Sequence, residues 1–223
     1  MTRLRLRDAG LAVGELPTGP LNAITDVPGV RVGHTTLIRG GGALRPGDGP
    51  VRTGVTVILP HEDDPFRHKV RAAVHTINGF GKAHGFEQVR ELGVLESPVA
   101  LTNTLNVGLV ADALVQHAVR QNPGIGVNTS TANVIVGETN DGYLNDVQGR
   151  HVHAEHVMAE FRHARRVGRT EVSGADHSHT HEEVLYSTYM NMSLNCAETM
   201  ARFSRPDQRK LRYDFDGVGP RCP

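Results

Sequence analysis

The sequence of 223 residues predicts a layered α/β fold, and two observations lead to that prediction. Apolar and polar residues alternate in the N-terminal third, as in strands with one buried face, whereas apolar residues further along recur every three or four positions, as in amphipathic helices. Strand-type and helix-type segments then follow one another along the chain. This order is typical of a sheet covered by helices.

The first strands are predicted from a period of two over residues 30–59. Pro60 ends this pattern, and the glycine- and proline-rich residues 40–50 predict a surface loop between two strands. A further strand is predicted for residues 71–77. The apolar residues that share one face of the second strand are Val51, Val55, Val57 and Leu59.

Two helices are predicted next. Residues 86–92 have helical spacing and stop at Gly93, a residue that favours the end of a helix. Residues 106–121 form the clearest amphipathic segment, with Thr104 and Asn106 as possible N-caps. The residues expected along its buried stripe are Val107, Val110, Ala111, Leu114 and Ala118.

Three shorter predictions complete this part of the chain. Short apolar strands are expected at residues 98–101 and 133–136, and a helix at residues 153–165. The residues expected to point inward from that helix are Val157, Met158 and Phe161.

From about Val167 the composition changes, because glycines become rarer and the strand alternation disappears. We therefore divide the chain into residues 1–166, one domain, and residues 167–223, a divergent tail. At most one helix is predicted in the tail, near residues 182–200.

Composition excludes several classes of function. Lys and Arg number 24, as do Asp and Glu, so no net charge attracts nucleic acid or an anionic membrane. No apolar run approaches the roughly 18 residues of a membrane span, and the basic start lacks the apolar segment of a secretory signal. Cys196 and Cys222 form no CxxC pair. We expect a cytoplasmic protein that binds neither nucleic acid nor membrane.

The segment 136–146 carries the densest group of candidate functional residues. An apolar strand ends at Glu138, an Asp-Gly turn follows at Asp141, and Tyr143 and Asn145 come next. Such a concentration of polar groups at a strand end is typical of a binding site. The alternative is a hairpin turn with a capping Glu.

Several sequence blocks, in the same order, resemble the self-processing L-aminopeptidase/D-amidase/D-esterase family, which includes the β-aminopeptidases. The resemblance covers about residues 8–162 and ends with residues 151–152 and 155–157. The main blocks are residues 21–27 (LNAITDV), 32–36 (VGHTT), 49–56 (GPVRTGVT), 98–104 (PVALTNT) and 138–146 (ETNDGYLND).

This resemblance implies an α/β/β/α sandwich related to the ornithine acetyltransferase fold, incomplete in this chain. Members of the family cleave themselves into an α and a β part and free an N-terminal Ser, the nucleophile that attacks an amide or ester. The implied substrates are small peptides, amides or esters with a free amino group. The resemblance implies that the cleaved α and β parts form pairs, which assemble into homo-oligomers. It implies no metal or cofactor.

The resemblance also assigns roles to individual residues. Glu138 corresponds to the position that receives the ammonium group of the substrate, and a charge-assisted hydrogen bond there contributes roughly 1.5–3 kcal/mol. Tyr143 corresponds to a tyrosine that lines the catalytic centre, where it would donate to an oxyanion, although a tyrosine bonded to backbone is an equal alternative. Asn103 and Asn145 are further candidates for binding substrate, with loop anchoring as the alternative.

The sequence departs from the family at the nucleophile. The family's Ser follows a glycine, whereas this sequence contains no Gly-Ser, Gly-Thr or Gly-Cys pair and reads VGRTEVS from residue 167. We therefore expect an α-like part followed by foreign or out-of-frame residues, inactive alone. A non-catalytic α-like domain that assembles with a separate β-like chain is the alternative. Lys82 also stands where an acidic residue is expected in this family.

Histidines suggest a second chemistry. His177, His179 and His181 alternate, which would place three imidazoles on one face of a strand, with Asp176 and Glu182 beside them. A metal site is the functional interpretation, and a solvated polar tract is the alternative. His153 and His156, three residues apart, are a weaker candidate pair.

Overall fold

A computed structural model describes residues 9–11 and 14–166. The predicted helix near residues 182–200 and the histidines at 177, 179 and 181 lie outside the described residues. Within the described part, no helix is long and apolar enough to cross a membrane.

The described residues form seven strands and three α-helices. The strands are β1 (Arg31–Arg39), β2 (Val51–Leu59), β3 (Val70–Arg71), β4 (Ala83–His84), β5 (Val94–Leu95), β6 (Val99–Thr102) and β7 (Ile135–Glu138). The α-helices are α1 (Phe86–Leu92), α2 (Val107–Gln121) and α3 (Ala154–Arg166). Two 3₁₀ turns, Ile24–Asp26 and Thr104–Asn106, precede β1 and α2 respectively.

Five strands form one sheet in the order β1-β2-β6-β7-β4, and β3 pairs with β5 separately. The central pair β6 and β7 is parallel, whereas every other pair in the sheet is antiparallel. The register places Thr102 beside Glu138 and Ala83 beside Gly137. The carboxyl ends of β6 and β7 therefore meet at one edge of the sheet.

Helices α2 and α3 cover one face of this sheet, and the core lies between them and the strands. Phe161 of α3 is buried and stacks on His117 of α2, with ring centroids 3.9 Å apart. The buried apolar residues of this core are Val55, Val57, Leu59, Ala100, Val107, Val110, Ala111, Ala113, Leu114, Val134, Val136, Val152, Val157, Phe161 and Ala164. The predicted α/β layering is thus confirmed.

Close approach of backbones explains two glycines in the first two strands. A Cβ on Gly54 of β2 would lie 2.1 Å from the carbonyl oxygen of Thr35 in β1. A Cβ on Gly33 of β1 would lie 2.8 Å from the carbonyl oxygen of Glu160 in α3. These two strands and α3 pack this closely because both positions lack a side chain.

Most element predictions hold, including β2, the loop at residues 40–50 and the end of α1. Gly93 follows α1 in the left-handed conformation (φ 67°), and its N–H donates to the carbonyl of Val89. In α2, Ala118 is only half-buried, unlike the first four residues of the predicted stripe. In α3, Val157 and Phe161 are buried as predicted.

Three element predictions are wrong in part. The strand predicted over residues 71–77 is only Val70–Arg71, and its partner β5 is equally short. Strand β7 begins at residue 135 rather than 133, because the backbone N–H of Asn133 donates to the side chain of Glu96 instead of to a neighbouring strand. Neither predicted cap of α2 acts as one: a 3₁₀ turn leads into this helix, and Asn106 donates to the carbonyl of Val152, 2.7 Å away.

Candidate functional site

Glu138 ends β7, at the sheet edge where β6 also ends, and its carboxylate is held from both sides. The hydroxyl of Thr104, just beyond β6, donates to Oε1 at 2.5 Å. The backbone N–H of Lys82, just before β4, donates to Oε2. The hairpin alternative is wrong, since the sheet neighbours of β7 are β6 and β4 rather than the segment that follows it.

Among the residues that the structure describes, no cation pairs with this carboxylate. The ammonium of Lys82 turns away: Nζ donates to the carbonyl oxygen of Phe80 at 2.9 Å and lies 3.9 Å from the centre of the Phe80 ring. Among the described residues, Glu138 has no ion-pair partner. A half-buried carboxylate with two N–H or O–H donors and no counter-charge is suited to binding a cation from outside.

Asn103 and Asn145 belong to a buried polar network beside this carboxylate. Asn103 is fully buried and donates through Nδ2 to the hydroxyl of Thr53 at 2.8 Å. Asn145 accepts the backbone N–H of Arg52 at 2.9 Å and so attaches the loop after β7 to strand β2. These contacts match the loop-anchoring alternative for Asn145, and a role of either residue towards substrate stays a prediction.

Asp141 is the member of this network that sequence reasoning treated only as a turn residue. Burial raises the pKa of its carboxyl group, and the charge of Glu138 acts in the same direction, against opposing hydrogen bonds from Thr53 and Asn145. Its Oδ2 atom is buried without a hydrogen-bond partner in the described structure. Asp141 and Glu138 are therefore two carboxyl groups in different environments, one buried and one half-exposed.

A second polar cluster fixes the far end of the same loop. The buried Asp146 accepts from His151 Nε2 at 3.0 Å and from the backbone N–H of Gly47 at 2.7 Å. Arg39 lies 3.3 Å from His151 Nδ1, and since arginine only donates, the geometry assigns the proton of neutral His151 to Nε2. Burial alone would raise the pKa of Asp146, but the hydrogen bonds from His151, Gly149 and Gly47 outweigh it and the pKa is lowered.

Tyr143 lies apart from these buried networks. Its side chain is fully exposed to solvent, as is more than half of the side chain of the neighbouring Leu144. The role of Tyr143 in lining a catalytic centre stays a prediction.

The candidate histidine pair has a structural role. The backbone N–H of His153 donates to Nδ1 of His156 at 2.9 Å, which satisfies a free donor at the start of α3. Within residues 9–11 and 14–166, no group of three or more His, Cys, Asp or Glu side chains is arranged to hold a metal ion.

Comparison with known proteins identifies the family. The sequence profile of peptidase family S58 matches residues 22–175. The chain belongs to peptidase family S58. It is 43% identical over 155 residues to the β-peptidyl aminopeptidase BapA of Sphingosinicella microcystinivorans, in an alignment that covers 69% of this chain and 37% of that protein. The chain thus spans less than half the length of the curated relatives it matches.

Solved structures of similar fold agree. The PH0078 protein of Pyrococcus horikoshii is 47% identical, with a TM-score of 0.68 over 71% of this chain and 45% of that one. The L-aminopeptidase D-Ala-esterase/amidase of Ochrobactrum anthropi is 35% identical, with a TM-score of 0.61 over 71% and 44%. That enzyme is described as a prototype for the serine aminopeptidases and a variant of the Ntn hydrolase fold. Both the resemblance seen in the sequence and the α/β fold class are confirmed.

Proposed function

We propose that this chain forms the amine-binding part of a serine-type aminopeptidase or amidase that hydrolyses N-terminal amino-acid amides, esters or small peptides. One observation carries the proposal: the Glu138 carboxylate is held at the sheet edge by Thr104 and the Lys82 backbone, with no cation beside it in the described structure. An aminopeptidase must recognise a free ammonium group close to the bond that it cleaves. A partly desolvated carboxylate provides that recognition.

The reaction requires a nucleophile that these 223 residues do not supply in the family's form, since no glycine precedes Ser, Thr or Cys. In the proposal, a β-like chain or segment provides an N-terminal Ser, freed by self-cleavage. Its hydroxyl oxygen would attack the substrate carbonyl while its own amino group takes the proton, and the leaving amine would depart protonated. Water would then release the acyl group. None of these steps requires a metal or cofactor.

Reconstitution tests the proposal. The chain is co-expressed with the remaining part of the Sphingosinicella microcystinivorans relative, and release of p-nitroaniline from an aminoacyl p-nitroanilide is measured. We expect activity from the complex, none from the purified chain alone, and none on the N-acetylated substrate, which has no ammonium group.

Substitution at Glu138 adds the specific control. Glu138→Gln keeps the shape but removes the charge, and we expect kcat/KM to fall by about 10- to 100-fold, the cost of a charge-assisted hydrogen bond. Glu87→Gln is the matched control, because Glu87 is an exposed α1 residue paired with Arg90. Equal activity of the Glu138→Gln and wild-type complexes, or hydrolysis by the chain alone, would contradict the proposal.

A non-catalytic assembly domain is the second candidate function, and four exposed apolar residues favour it. Phe80, Leu105, Tyr143 and Leu144 are each at least 49% exposed, and they lie within six residues along the chain of Lys82, Thr104 or Glu138. Exposed apolar side chains of this size favour a covering partner, here a β-like chain or a further copy within a homo-oligomer. Light scattering distinguishes the outcomes: a compact monomer that does not associate with the β-like part would contradict this candidate.

A further inference from the structure

Thr104 is the residue that connects the Glu138 carboxylate to the rest of the fold. It begins the 3₁₀ turn Thr104–Asn106, which joins β6 to α2, and it is half-buried. Its hydroxyl donates to Glu138 Oε1 at 2.5 Å, a short distance typical of a hydrogen bond to a charged oxygen.

The sheet register explains why two donors reach Glu138 from opposite sides. Parallel pairing sets Thr102 beside Glu138, so the chain that leaves β6 passes the carboxylate at Thr104. Antiparallel pairing sets Ala83 beside Gly137, so Lys82 lies opposite Glu138 on the other side. From the described residues, each carboxylate oxygen accepts one hydrogen bond, which leaves a second acceptor position on each oxygen.

The turn that carries Thr104 is held by other groups. The side chain of Asn106, fully buried, donates to the carbonyl of Val152 at 2.7 Å. The backbone N–H of Asn106 donates to the carbonyl of Asn103 at 3.0 Å, which closes the turn. Removing the Thr104 hydroxyl therefore removes a contact to Glu138 without removing the contacts that form the turn.

We propose that Thr104 is a positioning residue, whose hydroxyl orients the Glu138 carboxylate so that its free acceptor positions meet a primary ammonium group of the substrate. This inference rests on the proposed function. Without the Thr104 hydroxyl, Glu138 is held on one oxygen only, and the carboxylate regains rotational freedom that an incoming ammonium must then remove.

Hydrogen exchange of the Lys82 backbone amide measures how firmly the Glu138 carboxylate is held. Because its N–H donates to Glu138, its hydrogen exchange followed by NMR on the full chain reports how firmly the carboxylate is held. In Thr104→Val we expect the Lys82 amide to exchange about tenfold faster, as expected for loss of a hydrogen bond to a charged group. Thr104→Ser, which keeps the hydroxyl, restores protection. Thr129→Val is the control, because Thr129 is exposed and its hydroxyl donates to the carbonyl of Ser130 rather than to Glu138. Unchanged exchange in Thr104→Val would overturn the inference.

A binding titration then separates the inference from the function on which it rests. L-alaninamide and N-acetyl-L-alaninamide are each added to the full chain, and the Lys82 amide resonance is followed. We expect the wild type to bind only L-alaninamide, Glu138→Gln to lose this binding, and Thr104→Val to bind about tenfold more weakly, with rescue by Thr104→Ser.

The outcomes are distinguishable. If the wild type binds L-alaninamide through Glu138 and Thr104→Val binds it equally well, the positioning role is wrong and the proposed function stands. If the wild type does not distinguish the two amides, the proposed amine recognition is wrong and the inference fails with it, whatever the exchange rate of Lys82.

Discussion

At the scale of single residues, the fold shifts the pKa values of two aspartate carboxyl groups in opposite directions. Hydrogen bonds from His151, Gly149 and Gly47 lower the pKa of Asp146, whereas burial raises the pKa of Asp141. At His117, burial, together with the charges of Arg165 and Arg120 and against that of Asp64, lowers the pKa from 6.5 to about 4. The neutral imidazole is therefore the form that stacks on Phe161 near neutral pH.

The lowered pKa of His117 predicts that the stability of the protein depends on pH. Between about pH 6.5 and pH 4 the unfolded chain binds a proton at His117 that the folded chain does not, so the free energy of unfolding falls as the pH falls through this window. His117→Phe keeps an aromatic ring for the stack but cannot titrate. Urea unfolding at several pH values should show a shallower loss of stability in this variant.

His75→Gln is the control for that measurement, because His75 is exposed. We expect its profile to parallel that of the wild type. The same slope in His117→Phe and the wild type between pH 6.5 and pH 4 would contradict a lowered His117 pKa.

At the scale of elements, close backbone packing predicts the effect of glycine substitutions in the sheet. A Cβ at Gly54 would overlap the carbonyl oxygen of Thr35, an atom of the neighbouring strand that cannot rotate away. We expect Gly54→Ala to lower the free energy of unfolding by about 1–3 kcal/mol, the usual cost of overpacking. Gly41→Ala, in the loop with open space around it, should change stability by less than about 0.5 kcal/mol. Chemical denaturation of both variants checks the difference.

Helix α2 contains a glycine whose substitution should stabilise the protein rather than destabilise it. Gly108 lies in its first turn, is exposed, and has no neighbouring atom within 4 Å of the position that an alanine methyl group would take. Gly108→Ala should raise the free energy of unfolding by about 0.5–1 kcal/mol, because alanine loses less backbone entropy in a helix. A lower melting temperature for this variant would mean that the first turn of α2 has a different conformation.

Element predictions from the sequence were accurate where local signals determine structure. Period two identified β2, and helical spacing with a terminal glycine identified α1 to the residue. The extended segment 71–77 was overestimated because a strand also needs a partner, and β5 offers only Val94–Leu95. The caps of α2 were misassigned because Thr104 and Asn106 donate to groups far away in the sequence.

At the scale of the whole molecule, the layer between the sheet and its two helices holds the described domain together. Leu114 of α2 is 2% exposed and belongs to this core. Leu114→Ala should lower the free energy of unfolding by about 2–5 kcal/mol, the cost of lost burial plus a cavity. Val115→Ala, on the exposed side of the same helix, should cost much less. Similar losses in the two variants, measured by urea unfolding, would contradict this assignment of the core.

The sequence by itself determined the α/β class, the faces of β2 and α2, the resemblance to a peptidase family and the choice of Glu138 as a candidate. These conclusions depend on periodicity and on short motifs, which are local. Only the tertiary structure decided how Glu138 is held, since Thr104 and Lys82 are 34 and 56 residues away from it along the chain. It likewise joined Asn103 to Thr53 and Asp146 to Gly47. Such contacts depend on strand order and register, which are set by packing between distant segments rather than by the residues of any one of them.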